Sequence, residues 1–268
     1  MGKYIETGDG VKLFVEDIGQ GRPIVFLHGW PLNHKMFEYQ FITLAEHGFR
    51  CIGIDQRGFG LSDAPWEGYS YDRLADDVRE VIVQLGVRDA ILVGFSIGGA
   101  IATRYMARHA GYGISKLVLA GPATPVFVEQ PDYPHGSPVK NVTNLIVSAH
   151  LDRPKMVQDV GALFFNKSGS TAFETWFAAL GVSASAQGTL QSLYSLRDED
   201  LRSDLPQIAV PTAIFHGTKD KIAPYELAQL TGAAIPGSIT VAFEESGHGL
   251  MFDEPSKFNE ELLAFIRA

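Results

Sequence analysis

The sequence predicts an α/β fold built on a mostly parallel sheet. Two observations lead there. Short, continuous apolar runs recur along the chain, as expected of strands buried on both faces. Helical patterns lie between those runs, and regular strand–helix alternation is the mark of this class. One long stretch interrupts the alternation, so the 268 residues have room for a large domain that carries an insertion.

Two β-rich segments open the chain, Tyr4–Glu6 and Val11–Glu16. Between them Gly8-Asp9-Gly10 supplies a hairpin turn. Apolar runs follow at Pro23–Leu27, Cys51–Ile54, Ala90–Val93, Lys116–Ala120, Thr212–Phe215 and Ile239–Phe243. Helical patterns occupy Met36–Glu46, Tyr71–Leu85, Ile97–His109, Tyr225–Ala233 and Pro255–Ile266. In the second of these, Leu74, Val78, Val81, Ile82 and Leu85 recur three and four residues apart. The last begins with Pro255, a residue suited to a first helical turn. Residues 122–207 show no convincing strand. A Pro-rich loop, Pro122–Pro138, precedes helical stretches at Asn141–His150, Pro154–Phe165, Thr171–Leu180 and Ala184–Leu196. The expected organisation is a core of residues 1–121 and 208–268 and a helical cap, or lid, of residues 122–207. Such a lid would cover the strands' C-terminal ends, where ligands bind in open α/β sheets.

Composition narrows the function. Twenty-two basic residues against 31 acidic ones give a net charge of −9. That balance disfavours a nucleic-acid or anionic-membrane partner, because a cationic face is what binds phosphate. A single cysteine, Cys51, excludes an intramolecular disulfide framework and cysteine-cluster metal sites. Its apolar setting reads as a buried small hydrophobe. The N-terminal stretch lacks a basic region followed by an apolar run, so no signal peptide is expected. The longest apolar run, Ala90–Ala102, falls short of the about 20 residues that span a bilayer. These features point to a soluble cytoplasmic enzyme or binding protein. No metal or nucleotide cofactor is implied, since neither H-E-x-x-H nor a phosphate-binding G-x-x-x-x-G-K-[ST] loop occurs.

Gly94-Phe95-Ser96-Ile97-Gly98 follows an apolar run and opens a helix. This G-x-S-x-G in strand–turn–helix context resembles the nucleophile elbow of the α/β-hydrolases. So tight a turn strains the backbone of the nucleophile and leaves no room for flanking side chains, which accounts for Gly94 and Gly98. Ser96 is thereby presented at the sheet edge.

A serine hydroxyl needs a base. Eight histidines are present. In this fold the chain order is serine, acid, histidine. His109 ends the elbow's own helix, His135 and His150 belong to the insertion, and His216 ends a strand. His248, in the flexible loop Ser246-Gly247-His248-Gly249 after the last strand, stands where the base belongs. The acid should end an earlier strand, and Asp220 follows Thr212–Phe215. Its role is to accept the imidazole Nδ1–H and stabilise the imidazolium. Asp198, Glu199, Asp200 and Asp204 read instead as a solvated face. Asp55 reads as structural, through Arg57 or the turn Arg57–Gly60. The oxyanion hole is assigned to two backbone N–H groups, those of Ile97 and Trp30. Pro31 has no N–H to offer. His28 is expected to pack under this loop and bind backbone.

Several segments are similar to the cofactor-free haloperoxidases, or perhydrolases, and aryl esterases of the α/β-hydrolase superfamily. They are His28-Gly29-Trp30-Pro31, Asp55–Gly60, Ser62–Trp66, Gly94–Gly99, Ala123–Phe127 and Gln130–Pro134. The resemblance runs through nearly the whole chain. It implies a Ser96–His248–Asp220 triad, in agreement with the residue reading, and acyl transfer through an acyl-enzyme. The substrate would be a small-molecule ester or lactam, and the acyl acceptor water or hydrogen peroxide. With peroxide the product is a peracid that oxidises halide without a bound metal. Pro31 after the oxyanion tryptophan favours that perhydrolase activity. Relatives of this kind are often oligomers, so a homo-oligomer is compatible with it. Two departures stand out: Ile97 where methionine is common, and Gln56 where arginine is frequent. Substrate-pocket candidates are Trp30, Phe95, Phe127 and Ile222, with Phe164 and Trp176 balanced against a plain core role.

Two alternatives stay open. One is γ-lactamase or amidase chemistry with the same triad. The other is a slow-turnover ligand receptor or regulatory binding protein.

Overall fold

The computed structural model describes residues 2–167 and 169–268. Eight strands form one sheet: β1 (Lys3–Glu6), β2 (Lys12–Gly19), β3 (Arg22–Leu27), β4 (Phe49–Ile54), β5 (Ala90–Phe95), β6 (Ile114–Ala120), β7 (Thr212–Gly217) and β8 (Ile239–Phe243). Their spatial order is β1-β2-β4-β3-β5-β6-β7-β8. The β1–β2 and β2–β4 pairs are antiparallel; every later pair is parallel. All eight expected strands are present, most of them a residue or more longer than the apolar runs.

Alternation within each run explains why the runs are continuous. Val25, Leu27, Ile52, Ile54, Leu92 and Leu117 face one apolar cluster. Their neighbours Ile24, Phe26, Cys51, Ile91, Val93 and Val118 face another. Helices α2 (Tyr71–Gln84), α3 (Ile97–Arg108) and α7 (Tyr225–Ala234) contribute to the first cluster. Helices α1 (Glu38–Glu46) and α9 (Pro255–Arg267) contribute to the second. A sheet covered on both faces has no polar side to display. Cys51 is fully buried here, and burial pushes its thiol up to about 12.

Between β6 and β7 lie α4 (Val139–Phe164), α5 (Thr171–Val182) and α6 (Ala186–Asp198). The two stretches expected on either side of residue 152 join as α4, which kinks at Asp152 (φ −155°, ψ 81°). Pro154 cannot donate a helical hydrogen bond, and Asp152 Oδ1 accepts from Lys155 N (3.0 Å) as a cap for the second half. Three contacts fasten this region to the segment that runs from β4 to the first residue of α2. Ser185 N donates to Gly58 O (2.8 Å), Gln187 Nε2 to Ala64 O (2.9 Å), and Tyr71 N to Glu199 Oε1 (2.6 Å). Asp204 accepts from Arg104 Nε (2.5 Å) and is buried. The acidic run at 198–204 is thus partly a structural network, not only a solvated face. A four-residue helix, α8 (Leu250–Asp253), is too short to leave a periodic signal. No helix among the described residues is long and apolar enough to cross a membrane.

Arg57 does not pair with Asp55. It is buried and forks onto Asp77, with Nε–Oδ2 and Nη2–Oδ1 both 2.7 Å, and reaches Asp9 at 3.1 Å. Arg73 also reaches Asp77 (2.8 Å). Removing one partner of a buried pair strands the other. Arg57→Ala is therefore expected to lower the unfolding free energy by about 3 kcal/mol, the low end for a buried pair because Arg73 remains. A shifted urea midpoint at unchanged slope is the measurement.

Candidate active site

The β5–α3 turn places Ser96 at φ 54°, ψ −119°, a conformation that L-residues avoid unless their surroundings enforce it. Here they do. A Cβ at Gly94 would lie 2.4 Å from Gly98 O, and one at Gly98 would lie 2.2 Å from Leu27 O. Ser96 N donates to Ala120 O (3.0 Å), while Ser96 O accepts from Gly99 N (2.9 Å) and Ala123 N (3.1 Å). The serine backbone is therefore held from three sides.

Ser96 Oγ lies 3.0 Å from His248 Nε2, and His248 Nδ1 lies 2.7 Å from Asp220 Oδ2. All three side chains are buried. Asp220 Oδ1 accepts from Ile222 N (2.8 Å) and Ala223 N (2.9 Å). Burial alone would push the Asp220 carboxyl up. The adjacent His248 and His216 outweigh it and hold the carboxyl well below the usual carboxylate range. An ionised Asp220 can only accept, so Nδ1 carries the imidazole proton and Nε2 presents its lone pair to Ser96.

His216, set aside as a base, does not reach Ser96. Its Nε2 lies 2.8 Å from Ala223 O and 3.1 Å from Asp220 Oδ2, so it donates toward the acid. Its position four residues before Asp220, at a strand end, was the available signal. The His248 loop is also less free than its glycines suggest. Gly249 N donates to Phe164 O (2.8 Å), and Gly247 N to Asp253 Oδ2 (2.8 Å). Asp253 accepts as well from Asn166 N (2.9 Å) and Lys167 N (3.0 Å), beyond the end of α4. Asp253 carried no motif, because its partners are backbone groups distant in sequence.

Neither the Trp30 nor the Ile97 backbone N–H has a hydrogen-bond acceptor among the described residues. The Trp30–Pro31 peptide bond is cis. The Trp30 indole donates to Thr189 O (3.0 Å), joining this loop to α6. Gln56 N donates to His28 Nε2 (3.0 Å), leaving Nδ1–H to donate to Gly29 O (3.0 Å). Gln56 Nε2 donates to His28 O (2.7 Å). His28 thus supports the loop through backbone groups, and burial pushes its pKa down to about 4. Asp55 accepts from His34 N and Nδ1 (2.8 Å each) and from Leu61 N (2.9 Å), so its role is structural but comes mainly from His34, not from Arg57.

The apolar candidates divide. The Phe95 and Phe164 rings lie 4.8 and 5.0 Å from the His248 ring. Ile222 is tied to Asp220 through its amide. Trp30 and Phe127 are buried in one apolar cluster. Trp176 belongs to an aromatic group with Tyr39, Phe173, Phe177 and Phe252.

The family model described as alpha/beta hydrolase fold matches residues 22–255. The chain belongs to the α/β-hydrolase fold family. It is 52% identical over 265 residues to the AB hydrolase superfamily protein YisY of Bacillus subtilis, covering 99% of each chain. An esterase from Exiguobacterium antarcticum superposes with a TM-score of 0.98 at 48% identity, with each chain fully covered. A bromoperoxidase from Bacillus anthracis does so with a TM-score of 0.96 at 33% identity, again over the whole of both chains. The protein is a hydrolase with esterase and haloperoxidase relatives.

The low His28 pKa has a thermodynamic consequence. Between its ordinary 6.5 and about 4, the unfolded chain takes up a proton that the folded chain does not. Stability is therefore lost as pH falls through that window, by about 3 kcal/mol once pH reaches 4. His28→Asn is expected to shrink the difference in unfolding free energy between pH 7 and pH 4 by that amount. Urea titrations of both proteins at the two pH values give the comparison.

Proposed function

We propose that the protein is a serine esterase with perhydrolase activity, acting through Ser96, His248 and Asp220. The observation that carries this reading is the His248 imidazole, set between Asp220 Oδ2 at 2.7 Å and Ser96 Oγ at 3.0 Å. His248 Nε2 takes the Ser96 proton as Oγ attacks the ester carbonyl. Asp220 stabilises the imidazolium that forms. The oxyanion develops between the Trp30 and Ile97 N–H groups, which are free to receive it. His248 then protonates the departing alcohol. Water, deprotonated by His248, releases the carboxylic acid; hydrogen peroxide in its place releases a peracid. The bromoperoxidase likeness supports the second acceptor, and the esterase likeness the first.

Residues 122–207 act in this reading as the lid. Their hydrogen bonds to Trp30's loop and to the loop after β4 support that assignment, with residues 1–121 and 208–268 as the core. Trp30, Phe95, Phe127 and Ile222 shape the pocket, with Phe164 beside the histidine. A small-molecule carboxylic ester fits a site so enclosed.

Ser96→Ala tests the chemistry. It is expected to lower kcat for p-nitrophenyl acetate by roughly 10⁴-fold or more, with the circular dichroism spectrum unchanged. In acetate, hydrogen peroxide and bromide, the wild type should brominate a reporter and the variant should not. Undiminished ester cleavage by the variant would overturn the assignment.

A further inference from the structure

We propose that Gly161, on α4, sets how large an alcohol moiety the enzyme accepts. The inference rests on the esterase reading and names a specificity residue for it. Two adjoining spaces lie between α4 and α5. A groove of about 690 Å³ carries Gln158, Asn166, Lys167 and Glu174 among its polar lining. Behind it, a void of about 10 Å³ is enclosed by Pro31, Leu32, Val157, Val160, Phe164 and Phe177. Gly161, Phe177 and Ala178 border both, so the void is the groove's inner end. It stops at Pro31, next to the oxyanion tryptophan, and at Phe164, whose ring lies 5.0 Å from that of His248.

The direction of the chemistry assigns this route to one half of the substrate. His248 delivers its proton to the departing alcohol oxygen, so the alcohol lies on the histidine's side of the tetrahedral centre. Phe164 flanks that side. The alcohol therefore points along the void toward the groove, apolar next to the ester and polar at its far end. The Phe164 and Phe177 rings, 4.7 Å apart, stand between the ester and the groove, so the proposed route requires one of them to rotate.

Gly161 stands where the groove meets the void. A Cβ built there meets nothing within 4 Å, and its backbone is not among those with positive φ. Neither crowding nor backbone conformation requires glycine. Glycine in a helix interior is disfavoured relative to alanine, and what its presence leaves is open space. The side chain of any larger residue would enter the groove at its junction with the void.

Three substrates separate the halves of the ester: methyl acetate, hexyl acetate and methyl hexanoate. Gly161→Leu is expected to lower kcat/KM for hexyl acetate by about tenfold or more. Methyl acetate and methyl hexanoate should stay within about twofold of wild type. Gly161→Ala should raise Tm through helix propensity and lower the hexyl-to-methyl acetate ratio by about two- to threefold; it carries the test if the leucine variant fails to fold. An unchanged ratio overturns the proposal. So does methyl hexanoate falling in step with hexyl acetate, which would put the acyl chain in the groove. Wild-type protein that cleaves no acetate ester defeats the esterase reading itself; wild-type turnover with selectivity insensitive to Gly161 defeats only this assignment.

Discussion

The tight turn at Ser96 is the constraint on which the rest of the site depends. Its left-handed serine survives because Gly94 and Gly98 let the strand, the helix and the neighbouring loop approach at backbone distance. The same closeness reaches the loop after β3. A Cβ at Gly29 would lie 2.6 Å from the Phe95 ring and 3.2 Å from Ser96 Cβ. Ser96, the loop after β3 and the start of α3 are thus one packed unit. The glycines that admit the turn also admit the loop that carries Trp30.

Histidine placement follows a different logic, based on charge. Asp220 fixes the imidazole by its Nδ1 and is itself held by two backbone amides and approached by His216. Asp253 holds the loop that carries the imidazole, binding Gly247 N together with Asn166 N and Lys167 N. Two buried carboxylates, each with several N–H donors, do what apolar packing cannot. They set orientation as well as position, because hydrogen bonds are directional. Asp253 also joins the His248 loop to the residues just beyond α4 in a single hydrogen-bonded assembly.

A third layer of polar contacts keeps the loops at the strand ends in register. His34 and Asp55 join the loop after β3 to the one after β4, and Gln56 grips both sides of His28. Arg57 carries the connection on to Asp9 and Asp77. Glu199 and Thr189 extend it to the helical insertion. Buried polar groups have to be paired, and here the pairing reaches across elements far apart in sequence.

That distance explains what could be read in advance. The strands were legible because both faces of the sheet are apolar, and the elbow because steric exclusion leaves glycine at Gly94 and Gly98. His248 and Asp220 followed from chain order and from strand ends. Asp253, the partners of Arg57 and the contact of His216 with Asp220 were not legible, since each depends on which distant backbone or carboxylate folding brings near. Trp176 and Phe164 looked alike as aromatic residues of the insertion. Only packing put Phe164 against the His248 ring and Trp176 in a cluster with Tyr39 and Phe252. Local sterics and periodicity are written in neighbouring residues, so the fold class and the Ser96 turn could be read from the chain alone. Which residues of the helical insertion meet the His248 and Trp30 loops was settled only in three dimensions, because burial and hydrogen-bond partnership are properties of surfaces that meet only after folding.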